Sequence, residues 1–267
     1  MNWIYFPLYA LLTNCLWVIG IVLIMMAIKK ASIYKLLGNA ALILAICVLG
    51  LFLVLLWIHL ERPPLRTTGE TRLWSSFFIF IIGCFIYFRW GYTWVLILIL
   101  ALANTFLAAN YLHPEAHEKV LMPALRSYWF VPHVVVYMIS YSILAVSSLV
   151  GFYGLVLIYI KKSNDKIIKL TDNLVYIGFS LLTLGLLFGA LWAKEAWGNY
   201  WTWDPKETWA FLTWLVYLIY IHFRYFHPSR VKTQFWILSV IYVVLLIAWF
   251  GINYLPSAQN SVHVYAQ

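Results

Sequence analysis

Charge is what this chain has least of: 10% of its 267 residues are Asp, Glu, Lys or Arg, where soluble proteins carry roughly a quarter. Acid is scarcest, with nine Asp and Glu against eighteen Lys and Arg. Cysteine occurs three times, at Cys15, Cys47 and Cys84, each inside an apolar run and with no C-x-x-C pair or C-x-x-C-H segment. That argues against a thiol-disulfide carrier and against a c-type cytochrome. Long polar stretches are missing too. The widest breaks, 59–72 and 112–130, are too short for a soluble domain, and no repeat or low-complexity tract is visible.

What fills the chain is apolar, 64% hydrophobic with 19% aromatic residues. Runs long enough to cross a bilayer, about 20 residues with some latitude, lie at 8–28, 36–58, 73–88, 93–111, 133–160, 173–192, 206–226 and 234–252. The expected fold is all-α, a polytopic transmembrane bundle of about eight spans in one membrane domain over 1–267. The third run is short and is parted from the fourth only by Arg89-Trp90-Gly91-Tyr92. The first run ends at Lys29-Lys30 without a small-residue cleavage site, so it reads as a retained helix.

The connections at 29–35, 89–92, 161–172 and 224–233 hold eleven of the eighteen Lys and Arg. By the positive-inside rule these face the cytoplasm, and both termini face outward. The net charge of +9 therefore belongs to the inner edge and to anionic lipid, and nucleic acid need not be invoked.

One outward stretch, 193–209, stands apart. Trp197, Tyr200, Trp201 and Trp203 put four large rings into seven residues, beside Gly198 and Asn199, which disfavour regular structure. Asp204 then suits a helix cap, Pro205 the first helical position and Glu207 the third, so a helix is expected to start at Pro205. An interfacial aromatic belt would scatter its rings at two depths and would need no Asp204-Pro205-Lys206-Glu207 cluster.

Topology also sorts the histidines. His133 begins the fifth run at its outer end, His263 lies in the outward tail 253–267, and His222 sits inside the seventh run. His222 is about 25 Å along its helix at 1.5 Å per residue, in the inner half of the bilayer. An ionisable ring at that depth is by default a functional candidate, the alternative being an interfacial residue beside Arg224. His59 and His113 mark outer helix ends, His117 an outer loop and His227 a cytoplasmic loop.

The string Trp197-Gly198-Asn199-Tyr200-Trp201-Thr202-Trp203-Asp204-Pro205-Lys206-Glu207-Thr208-Trp209 closely resembles the Trp-rich WWD signature of haem-handling cytochrome c biogenesis proteins. Its Asp-Pro-Lys-Glu-Thr-Trp half looks like the CcsA or ResC type. Met122-Pro123-Ala124-Leu125 before Trp129-Phe130-Val131-Pro132-His133-Val134, and Asn253-Tyr254-Leu255-Pro256 before His263-Val264-Tyr265, look like the segments around that family's two external haem ligands. Arg62-Pro63-Pro64-Leu65 with Gly69-Glu70 resembles it weakly. One departure is that Asn260-Ser261-Val262 precedes His263 where the family usually has Gly-Leu, with Ser-Tyr following the histidine.

The resemblance implies that haem b is carried to the outer face of a bacterial inner or thylakoid membrane and attached to the C-x-x-C-H segment of apocytochrome c. His133 and His263 would be axial ligands, and Trp197, Trp201, Trp203 and Asp204 would support the porphyrin. Arg126, Lys194 and Lys206 lie on the correct face to pair with propionates. His222 would belong to an internal haem site whose other ligand comes from a CcsB or ResB-type membrane partner. The alternative is a chaperone of the CcmC kind, which presents haem and makes no thioether bond. An electron-transfer cytochrome would need histidines paired within the bilayer, and His222 stands alone there.

Overall fold

A computed structural model describes residues 3–27, 32–117, 127–162 and 165–251. Among them are eight α-helices: α1 (Phe6–Ala27), α2 (Ser32–Leu60), α3 (Thr68–Trp90), α4 (Thr93–Leu112), α5 (Phe130–Tyr159), α6 (Asp165–Trp197), α7 (Pro205–Phe226) and α8 (Val231–Trp249). Short 3-10 turns sit at Trp3–Tyr5 and Pro114–His117. The all-α expectation is met, and no described residue lies in a strand.

Seven of the eight are long and apolar enough to cross a membrane, and the protein is an integral membrane protein. The helix that falls short is α7, diluted by Lys206, Glu207, Arg224, His222 and several Trp and Tyr, which hydropathy scales rate as interfacial. The third helix is longer than its apolar run suggests. Thr67 caps it, accepting from the Glu70 amide at 3.1 Å while Glu70 reaches back, so the helix starts a turn early. In α6 the helix likewise overruns its apolar run at both ends, because hydropathy marks hydrocarbon and helical structure continues beyond it.

The chain folds as two compact units, Met1–Lys119 and Val120–Gln267. In the first, α1 lies against α2 and α3 against α4. Small residues set the approach: a Cβ on Gly20 would sit 2.8 Å from Leu42 Cδ2, and one on Gly38 would sit 2.7 Å from Ile24 Cγ1. Leu8, Leu11, Leu44 and Leu51 point outward as a lipid-facing surface.

Polar contacts fix the register. Asn14 and Asn104 exchange amide hydrogen bonds of 2.8 and 3.0 Å between α1 and α4, and Trp17 Nε1 donates to the Leu96 carbonyl. Asn14→Leu is expected to cost about 1 kcal/mol, the scale of interhelical hydrogen bonds in membranes. The double Asn14→Leu/Asn104→Leu variant should lose less than the sum of the singles in reversible unfolding from detergent, since no amide is then stranded.

At the end of this unit formed by the α2–α3 connection, the carboxylate of Glu70, 1% exposed, accepts a bidentate pair from Arg62 at 3.0 and 2.8 Å. It also accepts from the Arg66 and Thr67 amides. Gly69 lies against the His117 ring, which stacks on Trp3 at 3.8 Å. His117 reads from the sequence as a loop histidine; in the fold it is a packing residue.

The second unit is built on α5, which is buried along most of its length between α6 and α8. Ser140 donates to the Gly178 carbonyl of α6, and Ser148 to the Leu238 carbonyl of α8. Along α6 the glycines 178, 185 and 189 share one face, and each receives a side chain of α5: Leu144, Tyr137 and His133 in turn. With no Cβ at these three positions, the two helices close into a tight seam.

Candidate functional site

That seam carries His133 in the first turn of α5. Its Nδ1 lies 2.8 Å from the Gly185 carbonyl oxygen. A carbonyl can only accept, so the proton is on Nδ1, and in the neutral ring the lone pair belongs to Nε2. A Cβ on Gly189 would lie 2.7 Å from Cε1 and 2.9 Å from Nδ1. The imidazole therefore occupies the volume that any other residue at 189 would fill. Trp192 stacks beside it at 5.5 Å and 28°, and Tyr137 meets it edge-on at 4.6 Å. Trp192 in turn touches Phe130 and Trp197.

Trp197 is in α6, the last residue of a helix that Gly198 ends with a φ of +84°. The irregular loop is therefore shorter than 193–209 and runs from 198 to 204. Lys194 folds onto it, donating to the Gly198 carbonyl at 2.7 Å and lying 5.4 Å from the Tyr200 ring centre. Helix α7 starts at Pro205 as expected, with Asp204 accepting from the Lys206 amide at 2.9 Å and Glu207 completing the capping box.

Glu207 does more than cap. Its Oε2 accepts from the amides of Thr202 at 2.7 Å and Asp204 at 3.2 Å, the two neighbours of Trp203. Thr208 Oγ1 donates to the Trp203 carbonyl at 3.2 Å. Trp203 itself is held at a φ of +59°, a conformation bulky residues avoid, with its side chain 64% exposed. The backbone on both sides of Trp203 is thus held by hydrogen bonds in a sparsely populated conformation, with the side chain left exposed.

Trp201 meets Trp203 edge-on, and the buried Trp201 indole N–H has no acceptor among the described residues. The aromatic cluster continues through Phe211, Trp214 and Phe179, where Trp214 Nε1 donates to Thr183 Oγ1. Asp204→Ala is expected to destabilise the start of α7 by about 1 kcal/mol. Glu207→Ala should do more, because it also frees the amides flanking Trp203. Faster hydrogen exchange at Thr202 and Asp204, largest in the Glu207 variant, checks both.

His222 is exposed on α7, with Nδ1 taken by the Leu218 carbonyl at 2.9 Å, so the same tautomer argument leaves its lone pair on Nε2. In the last turn of α7, Arg224 forms a bidentate pair with Asp172 of α6, Nε to Oδ1 and Nη2 to Oδ2 both at 2.9 Å. Asp172 escaped the sequence reading, since nothing local links residues 52 positions apart. Lys206 is half-buried in the first turn of α7. His263 and Arg126 lie outside the described residues.

Residues 5–258 match the family model described as cytochrome C assembly protein. The chain is 31% identical over 271 residues to the cytochrome c biogenesis protein CcsA of Mesostigma viride, covering 87% of this chain and 88% of that protein. It is 32% identical over 252 residues to that of Nymphaea alba, covering 80% and 82%. With that of Chlamydomonas reinhardtii it shares 39% over 168 residues, 60% of this chain and 48% of that one.

Proposed function

The chain belongs to the cytochrome c assembly protein family, in its CcsA branch, and serves cytochrome c maturation at a membrane; on that footing we propose that it carries haem b to the outer face and presents it there to apocytochrome c. The observation that carries this reading is His133, seated between Gly185 and Gly189 with its proton on Nδ1 and its lone pair on Nε2. That is the state an axial ligand requires, with a backbone carbonyl orienting the ring.

The residues fit haem on further grounds. Trp203 is exposed for stacking, the Trp201 N–H is a donor without an acceptor among the described residues, and Lys194 and Lys206 bring positive charge to the same loop. His263 and Arg126 complete the proposed set as second ligand and propionate partner. When bound, haem supplies the vinyl carbons to which the two thiols of the C-x-x-C-H segment add. This chain's contribution is to hold the iron, orient the ring and expose its edge to the substrate.

His222 is assigned to an internal haem site, and its exposure on α7 suits a second ligand from a CcsB or ResB-type membrane partner. The orientation follows the Lys and Arg count, with the loop at 198–204 on the periplasmic or lumenal side of a bacterial inner or thylakoid membrane. The test is purification with and without that partner, followed by a visible spectrum. A bis-histidine haem spectrum is expected in the complex, and no haem in either preparation would overturn the proposal.

A further inference from the structure

The first unit holds a cavity of about 460 Å³ where α1 ends, α2 begins, α3 ends and α4 begins. Its wall is divided by chemistry. Ile24 of α1 and Phe88 of α3 form an apolar side, while Lys35, Asn39, Tyr87 and Thr93 bring polar groups from three helices. Lys35 and Asn39 are one helical turn apart, so both present to the same side of α2.

The hydrogen bonds leave donors in surplus. The Tyr87 hydroxyl donates to Asn39 Oδ1 at 3.1 Å, which turns the Asn39 amide nitrogen into the group left to bond a ligand. Tyr92, at the cap position of α4, makes no side-chain cap bond, and the helix opens at Thr93 on the cavity wall. The first amides of such a helix favour an anion, and Lys35 adds a full positive charge. Gly91 closes α3 in the left-handed region at φ +72°, with open space where a Cβ would be, so the cavity mouth is unobstructed there. Among the described residues that line the cavity there is no imidazole, thiol or thioether to ligate a haem iron.

We propose that this cavity, formed by Lys35, Asn39 and the start of α4 beside Ile24 and Phe88, binds the phosphate headgroup of an anionic phospholipid. The phosphate meets Lys35, the Asn39 amide and the first turn of α4, and the upper acyl chain lies along the apolar wall. The Lys and Arg distribution puts this end of the unit at the inner leaflet, where anionic lipid is attractive to basic residues. The described lining residues belong to the first unit, whereas His133 and the Trp-rich loop belong to the second.

The test uses the full chain in detergent with added phosphatidylglycerol or phosphatidylcholine, read by native mass spectrometry and by thermal stability. Lys35 is exposed, so Lys35→Gln should fold; Lys162→Gln, an exposed lysine of the second unit that is not among the cavity's lining residues, serves as the control. Retention of one phosphatidylglycerol is expected in wild type and in Lys162→Gln, with a fall of about tenfold in Lys35→Gln, the loss of one charge-assisted contact. Thr93→Val, which removes a hydroxyl and adds no charge change, should fall less. Equal retention in Lys35→Gln and wild type, or equal retention of phosphatidylcholine, would overturn the proposal. So would stabilisation by inorganic phosphate alone matching that by phosphatidylglycerol, since the site would then read a bare anion.

Discussion

Replacing His133 with glycine is expected to lower the yield of covalent haem in a reporter cytochrome c by about tenfold or more, the scale seen when a metal site loses even an orienting partner. Millimolar imidazole should restore part of it. The seat of the ring is made by α6, from the Gly185 carbonyl and the space over Gly189, and both remain when the side chain is removed. A free imidazole can enter that seat by mass action and offer the same nitrogen. His263→Gly should behave alike if the two are ligands of one haem. His59→Gly, at an exposed helix end, should match wild type. His117 is unsuitable as the control because its ring is packed on Trp3, and its removal should destabilise the first unit. The measurement is haem yield with and without imidazole, beside the visible spectrum of each purified variant. Equal yields in all of them would refute the assignment of His133.

A single methyl group on the facing helix should be nearly as damaging. Gly189→Ala would set a carbon 2.7 Å from Cε1 and 2.9 Å from Nδ1 of His133, both atoms of a rigid ring. The ring must leave its seat, and the bond to the Gly185 carbonyl is lost with it. Haem yield is expected to fall about tenfold, as for loss of an orienting partner, and imidazole should not restore it, because the methyl fills the seat itself. Gly178→Ala is the matched comparison. Its Cβ would meet Leu144 Cδ2 at 2.6 Å, the far end of a flexible side chain in the same seam, so it should cost stability while leaving haem per folded molecule unchanged. In a His133→Gly background, Gly189→Ala should add little to the defect, since the clash it creates has no partner there. A full additive loss would mean that Gly189 acts through helix packing and not through the histidine.

Local signals were enough for much of this protein. Apolar runs marked the helices because crossing hydrocarbon requires about 20 residues that carry the signal within themselves. Asp204, Pro205 and Glu207 announced the start of α7 because a cap bonds to amides two and three residues away. The Trp-rich segment stood out for the same reason, its rings being written along the chain, whereas His133 was singled out by its place at the outer end of an apolar run and by the resemblance of its flanking residues.

What tertiary structure decided is what joins residues far apart. The proton on His133 is assigned by a carbonyl 52 residues away, and its seat by a missing side chain at 189. Asp172 meets Arg224 across the same separation, and His117 finds Trp3 from the other end of its unit. Nor could spacing reveal that one carboxylate, Glu207, would gather the amides on both sides of the exposed Trp203. The sequence determined which groups could do chemistry and on which helices; packing between helices determined their tautomer, their volume and their exposure, because those depend on neighbours that no local pattern names.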